Sequence, residues 1–270
     1  MPTQRRASLM DNQRTELQPS HNSNLSWKTA CSLYQTLPGL RGFWSGVATT
    51  PPDPTHFPAG MYVHHQSGQT GRLDYLGTYQ PSFGYTGLVP WVRLVGTSAT
   101  STGYLTGGNR DEYNINGIEP YIQSADRGLT FGAWFKFTTL SSAEGIMGRD
   151  DGPGLSFSYY VEKTASNTVR VVVTPDGTTR IGSESGNTVG YTDRHLVIGR
   201  FRSALYGDSN LADISIFLDG IKHSETNATL TALHDSDAEL RVGYSTQTAT
   251  GNNIRYVSMA FISAMWLRDY

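Results

Sequence analysis

Between His195 and Ser224 the chain reads HLVIGRFRSALYGDSNLADISIFLDGIKHS, two apolar runs parted by a polar loop. In the second run Ile214, Ile216 and Leu218 fall on one side of an extended chain, and Ser215, Phe217 and Asp219 on the other. Strict period-two alternation belongs to a half-buried strand, because successive side chains of a pleated backbone point to opposite faces. Asp219-Gly220 follows at once and supplies the positive φ angles of a tight hairpin, so Ile221-Lys222-His223 is expected to return antiparallel. A chain with this centre is built from sheets.

The same pattern recurs downstream of residue 60. Strands are expected at Met61–His65, Leu73–Tyr75, Val92–Val95, Leu129–Phe137, Leu155–Glu162, Val169–Thr174, Leu196–Phe201, Ile214–Leu218, Leu240–Tyr244 and Val257–Leu267. In Leu129–Phe137, five alternate positions (Leu129, Phe131, Ala133, Phe135, Phe137) share one face, which marks a central strand. Thr174-Pro175-Asp176-Gly177 is a second hairpin turn. Val257–Leu267 is apolar at nearly every position, as a strand covered on both faces would be. Only 16% of residues are charged, and 29 glycines and 15 tyrosines accompany abundant Ser, Thr and Asn. That composition suits a sandwich with many turns better than a helical enzyme.

Upstream the character changes. Residues 1–45 carry Arg5, Arg6, Arg14, Lys28 and Arg41 against Asp11 and Glu16, a balance of +3; with −2 for the whole chain, the remainder carries −5. Ser26 can cap a short helix over 26–37, with Trp27, Ala30, Cys31, Tyr34 and Leu37 on one stripe and Pro38-Gly39 ending it. An isolated helix of that length is marginal in water, so its stripe needs a surface to pack on. Residues 46–60 hold Pro51, Pro52, Pro54 and Pro58 and form a stiff extended connection. The expected organisation is an attachment arm at 1–45, the connection at 46–60 and one sandwich at 61–270.

Composition narrows function mainly by exclusion. A charge of −2 gives no reason to expect nucleic acid as partner. No run approaches the roughly 18 apolar residues of a membrane span, and the first 25 residues lack a signal-peptide core, so no membrane partner is expected. The single Cys31 permits no intrachain disulfide, which suits assembly in a reducing cytoplasm. Asn24-Leu25-Ser26 and Asn227-Ala228-Thr229 match the glycosylation tripeptide, by chance if the chain is not secreted.

No catalytic, metal-ligating or cofactor-binding residue is assigned. Neither a Gly-x-Ser-x-Gly elbow nor a phosphate-cradling Gly-x-x-x-x-Gly-Lys is present. His56, His64 and His65 lack acidic companions at ligand spacing apart from Asp53. Asp235, Asp237 and Glu239 would share one face of an extended segment, the arrangement sugar-cleaving sandwiches use, but His234–Ala238 reads as a loop. Asp150, Asp151, Asp208 and Asn210 offer oxygens for calcium only if their loops meet. Tyr79, Phe83, Tyr85, Trp91, Tyr104, Tyr113 and Tyr121 are residue types that stack sugars and also build protein interfaces.

The succession RGLTFGAWFKF (Arg127–Phe137), HLVIGRF (His195–Phe201), ISIFLDG (Ile214–Gly220), LRVG (Leu240–Gly243) and AFISAMWL (Ala260–Leu267) resembles concanavalin A-like, laminin-G-type jelly rolls. LPGLRGFW (Leu37–Trp44) and HHQSGQTGRL (His64–Leu73) are more specifically similar to laminin-G-type virion proteins of tailed bacteriophages. The resemblance implies an all-β, antiparallel two-sheet jelly-roll sandwich with an extended N-terminal arm and one short helix. It implies binding or architecture rather than catalysis, and the Glu-x-Asp-x-x-Glu strand of the family's glycosidases is missing. The expected role is a bacteriophage capsid decoration protein, assembled in the host cytoplasm and displayed on the virion. Expected partners are the major capsid protein or another virion protein, with a homotrimer as the assembly. Partner contacts would come from Arg5, Arg6, Arg14, Trp27, Tyr34 and Leu37, and no cofactor is called for. Two alternatives stand beside it: a tail or fibre adhesin gripping host glycans, and a carbohydrate-cleaving enzyme.

Overall fold

In the computed structural model, the described residues are 40–45, 74–77, 82–86, 89–95, 103–108, 128–137, 143–150, 157–190, 193–204, 210–243 and 253–263; side chains are described for Leu94 and for the segments from 128 to 243. The described strands are β1 (Leu40–Ser45), β2 (Asp74–Gly77), β3 (Ser82–Thr86), β4 (Val89–Val95), β5 (Gly103–Gly108), β6 (Gly128–Phe137), β7 (Glu144–Asp150) and β8 (Phe157–Lys163). They continue as β9 (Thr168–Val173), β10 (Ile181–Thr188), β11 (His195–Arg202), β12 (Ala212–Leu218), β13 (Ile221–Ala228), β14 (Leu240–Val242) and β15 (Asn253–Ser263).

They form two sheets. One has the order β13-β12-β11-β6-β15-β4-β3, with β1 also on β15; the other runs β10-β9-β8-β7-β14-β5-β2. The pairings among the described strands are antiparallel, so the expected two-sheet jelly-roll sandwich is what the chain builds. The helix expected over 26–37 and the strand expected over 61–65 lie outside the described residues. Leu40–Ser45, grouped by sequence with the arm, is a strand of the eight-stranded sheet.

Alternation places the core between the sheets. Leu129, Phe131, Ala133, Phe135 and Phe137 all point inward from β6, which lies between β11 and β15 as a central strand should. Ile214, Ile216 and Leu218 join them from β12, and Tyr159, Val161, Val169, Val171 and Val173 come from the opposite sheet. The Phe131 and Tyr159 rings meet at 4.8 Å and 48° across the gap, within the range that aromatic pairs prefer. Each fully buried large side chain of this set contributes about 1.5–3 kcal/mol relative to exposure. Gly199 of β11 lets the sheets close: a Cβ there would stand 2.9 Å from Val171 Cγ2 and 3.1 Å from Phe131 Cζ.

The two turns read from sequence form where expected. Asp219 and Gly220 adopt φ of 53° and 82° between β12 and β13, and Gly177 adopts 86° between β9 and β10. Edge strands leave unpaired backbone groups, and here β10 and β13 answer one another. Thr226 Oγ1 donates to the Gly182 carbonyl at 2.8 Å, Ser224 Oγ to the Glu184 carbonyl at 2.7 Å, and Ser183 Oγ to the Ile214 carbonyl at 2.6 Å. The sandwich is thus stitched along that side by hydroxyls.

Candidate binding surface

The outer face of the eight-stranded sheet combines apolar and charged side chains. Leu196 of β11 lies opposite Trp134 of β6, and Ile198 lies between Gly132 of β6 and Phe217 of β12. Trp134, Leu196, Ile198 and Phe217 are each half-buried. Gly132 leaves room for this row: a Cβ there would sit 3.3 Å from Ile198 Cγ1 and closer still to the Val197 carbonyl.

Beside this row the Arg200 guanidinium lies 5.7 Å from the centre of the Phe217 ring. It donates to Ser215 Oγ at 3.3 Å and stands 3.7 Å from Glu225 Oε2. Ser215 Oγ donates to the same carboxylate at 3.0 Å, and Lys222 pairs with it from the same strand. Together they hold the Glu225 carboxyl below the usual range, with the Lys222 hydrogen bond as the largest cause. Arg202 and Asp213 form a further pair at 3.8 Å. Exposed ion pairs contribute only about 0–1 kcal/mol each. Their effect here is to fix the Arg200 guanidinium over Phe217. Trp, Phe and Arg on one rigid face are the residue types that carry binding energy at protein interfaces.

At the end of β11, His195 Nδ1 lies 2.8 Å from Asp219 Oδ2, and Leu196 N donates to Asp219 Oδ1 at 2.8 Å. The turn residue therefore orients the imidazole, whose Nε2 is buried without a hydrogen-bond partner. A carboxylate-oriented imidazole is an arrangement that ligands and bases share. No group of three or more His, Cys, Asp or Glu gathers into a metal-holding cluster among the described residues.

The acids singled out by sequence are placed as follows. Asp235 and Asp237 are exposed and Glu239 half-buried, alternating with buried Ser236 and Ala238. The segment is a loop leading into β14, as expected, with its three carboxylates turned toward solvent or half-buried. Its buried positions, Ser236 and Ala238, are small residues. Glu239 stands 3.8 Å from Arg241. Asp150 ends β7 and its carbonyl accepts from Arg241 Nη1 at 2.9 Å; Asn210 is exposed at φ 55°, while Asp151 and Asp208 lie outside the described residues. The attachment residues Arg5, Arg6, Arg14, Trp27, Tyr34 and Leu37 also lie outside them, as do the side chains of the aromatic group from Tyr79 to Tyr121.

Sequence reasoning missed the outer face of the seven-stranded sheet. Phe157, Tyr160 and Val172 form a second apolar cluster there, each at most 2% exposed, with the Phe157 and Tyr160 rings 5.4 Å apart. Glu162 is buried beside them and pairs with Arg170. Burial raises the Glu162 carboxyl above its ordinary range, against the pull of Arg170, and burial followed by Glu162 raises the Tyr160 phenol. The signal was available: Tyr159-Tyr160-Val161 and Val171-Val172-Val173 are apolar at both parities, as strands covered on both faces are.

The fold is a jelly-roll β-sandwich. The binding domain of Paraclostridial Mosquitocidal Protein 1 superposes with a TM-score of 0.53 at 8% identity over 83% of this chain and 48% of that one. The receptor-binding domain of botulinum neurotoxin C/D mosaic serotype gives 0.51 at 8% identity, again over 83% and 48%. Trypanosoma rangeli sialidase in complex with 2,3-difluorosialic acid, as the covalent intermediate, gives 0.50 at 14% identity over 84% and 30%. The chain thus spans about half the length of the toxin domains and under a third of the sialidase. No protein-family model matches the sequence. No curated protein matches it either.

Proposed function

We propose that this jelly roll is a structural protein of a tailed-bacteriophage virion, working by docking rather than by bond-making, and displayed on the capsid exterior as a decoration protein. The segment upstream of β1 attaches it to the shell, through Arg5, Arg6, Arg14, Trp27, Tyr34 and Leu37. The sandwich meets further copies of itself through the outer face of the eight-stranded sheet. The observation that carries this is the row Trp134–Leu196–Ile198–Phe217 with Arg200 clamped against it. That face carries Arg200, Arg202 and Lys222 alongside Asp213 and Glu225, so basic groups of one copy can meet acidic groups of the next head to tail, the heterologous contact a closed trimer needs.

The test joins sedimentation of the full chain with electron microscopy of particles incubated with it. A trimer that decorates particles, and that Ile198→Asp turns into a folded monomer, is the expected result. A wild-type monomer that leaves particles bare overturns the proposal. A second reading, a tail or fibre adhesin for host glycans, draws support from the fold shared with a toxin receptor-binding domain. Binding on a glycan array without particle decoration would select it. Release of free sugar from a polysaccharide would instead select an enzyme.

A further inference from the structure

The β8–β9 turn brings an amine and a carboxamide together, and β7 sets a carboxylate beside them. Lys163 ends β8 and is fully buried, although Ala165 and Ser166, two and three residues on, are exposed. Its Nζ lies 3.2 Å from Asn167 Oδ1, 3.4 Å from the Thr164 carbonyl and 5.6 Å from the centre of the Phe137 ring. Glu144, 1% exposed, faces Lys163 across the β7–β8 ladder. Asn167 is rigidly held at φ 63°, a region Asn tolerates better than most residues. Its amide donates to the Thr164 carbonyl at 3.0 Å, and its own carbonyl accepts from Val189 N at 2.8 Å.

Burial favours the neutral form of the Lys163 amine, and the charge of Glu144 opposes this. A desolvated lysine is a nucleophile, and a carboxylate beside it can take up its proton. The hydrogen bond holds Nζ 3.2 Å from Oδ1, the atom bonded to the carbon it would attack, so amine and carboxamide are already neighbours.

We propose that Lys163 and Asn167 join spontaneously in an isopeptide cross-link. The Nζ lone pair attacks Asn167 Cγ while Glu144 accepts a proton from the nitrogen. The tetrahedral centre then collapses, the Cγ–Nδ2 bond breaks, and Glu144 returns the proton to Nδ2, which departs as ammonia. One amine and one primary amide become a secondary amide and ammonia. Glu144 ends as it began, nothing is oxidised or reduced, and no co-reactant is consumed. The product seals the β8–β9 turn where its exposed backbone would otherwise admit a protease.

The test is the intact mass of the folded full chain, followed by tryptic mapping. The expected mass is short by one ammonia, and trypsin should leave residues 150–170 as one peptide uncut after Lys163. Lys163→Arg and Glu144→Gln should each restore the full mass. Should Glu144→Gln fail to fold, Asn167→Asp serves instead, with loss of one water expected from the same attack. A full mass in the folded wild-type chain overturns the cross-link. So does an ammonia loss that mild base converts into uptake of one water, leaving Asp or isoAsp, or one that persists in Lys163→Arg, since both point to a succinimide and not to the cross-link.

Discussion

Replacing Gly199 by alanine tests how closely the two sheets approach. The new Cβ would lie 2.9 and 3.1 Å from the two Val171 methyls and 3.1 Å from Phe131 Cζ. Ordinary contact begins at 3.4 Å, so one sheet must yield by about half an ångström or a core side chain must leave its rotamer. Overpacking of this kind costs about 1–3 kcal/mol, and the lower unfolded-state entropy of alanine offsets about 0.4–1 of it. A net loss of about 1–2 kcal/mol corresponds to a melting point lower by about 3–6 °C in a chain of this size. Val171→Ala alone opens a cavity and should cost about 1–3 kcal/mol. Combined, the two changes should compensate, because the alanine methyl occupies space the valine has vacated. Thermal and urea denaturation of the four proteins in a double-mutant cycle measure the coupling, expected at about 1 kcal/mol or more in favour of the double variant. An unchanged or raised melting point for Gly199→Ala, or strict additivity, refutes the account of sheet packing.

Other consequences are open to measurement. Asp219→Ala removes the acceptor for Leu196 N and His195 and places alanine at φ 53°, so it should destabilise more than Asp219→Gly, by about 1 kcal/mol in urea denaturation. The Glu162 carboxyl is raised by burial, so the folded state holds its proton more tightly than the unfolded state. Stability from this group is complete below the ordinary glutamate range and is lost as pH rises through the folded value; Glu162→Gln should flatten that slope in melts across mildly acidic pH. Thr226→Val removes the hydroxyl that serves the Gly182 carbonyl, and should cost about 1 kcal/mol. Its freed edge should also raise self-association in sedimentation.

What sequence made legible followed from side-chain size. β6 and β12 announce themselves because bulky residues alternate without interruption, and Asp219-Gly220 because few residues tolerate its backbone. β10, IGSESGNT, has one large apolar residue, and its inward positions are Ser183 and Ser185. Ser185 Oγ accepts from Val169 N at 3.0 Å, a role hydropathy cannot register. β7 was hidden because Glu144 and Arg149 are buried within it, the latter donating to the Ser236 carbonyl. Phe217 was correctly placed on the outer face, but its clamp by Arg200 depends on the register of β13, shifted by a bulge between Ile216 and Phe217. Two-residue alternation carries no information about such a slip.

Of the described strands β15 is synthesised last, yet it holds the middle of its sheet. One edge lies along β6, while the other serves β4 with its first residues and β1 with its later ones. Neither β1 nor the β3–β4 hairpin can join β6 before Asn253–Ser263 has emerged, so half of this sheet must wait for translation to pass residue 263. A ribosome stalled before that point would carry the β13-β12-β11-β6 sheet, the β3–β4 hairpin and β1 unjoined, with open hydrogen-bonding edges that chaperones would have to cover.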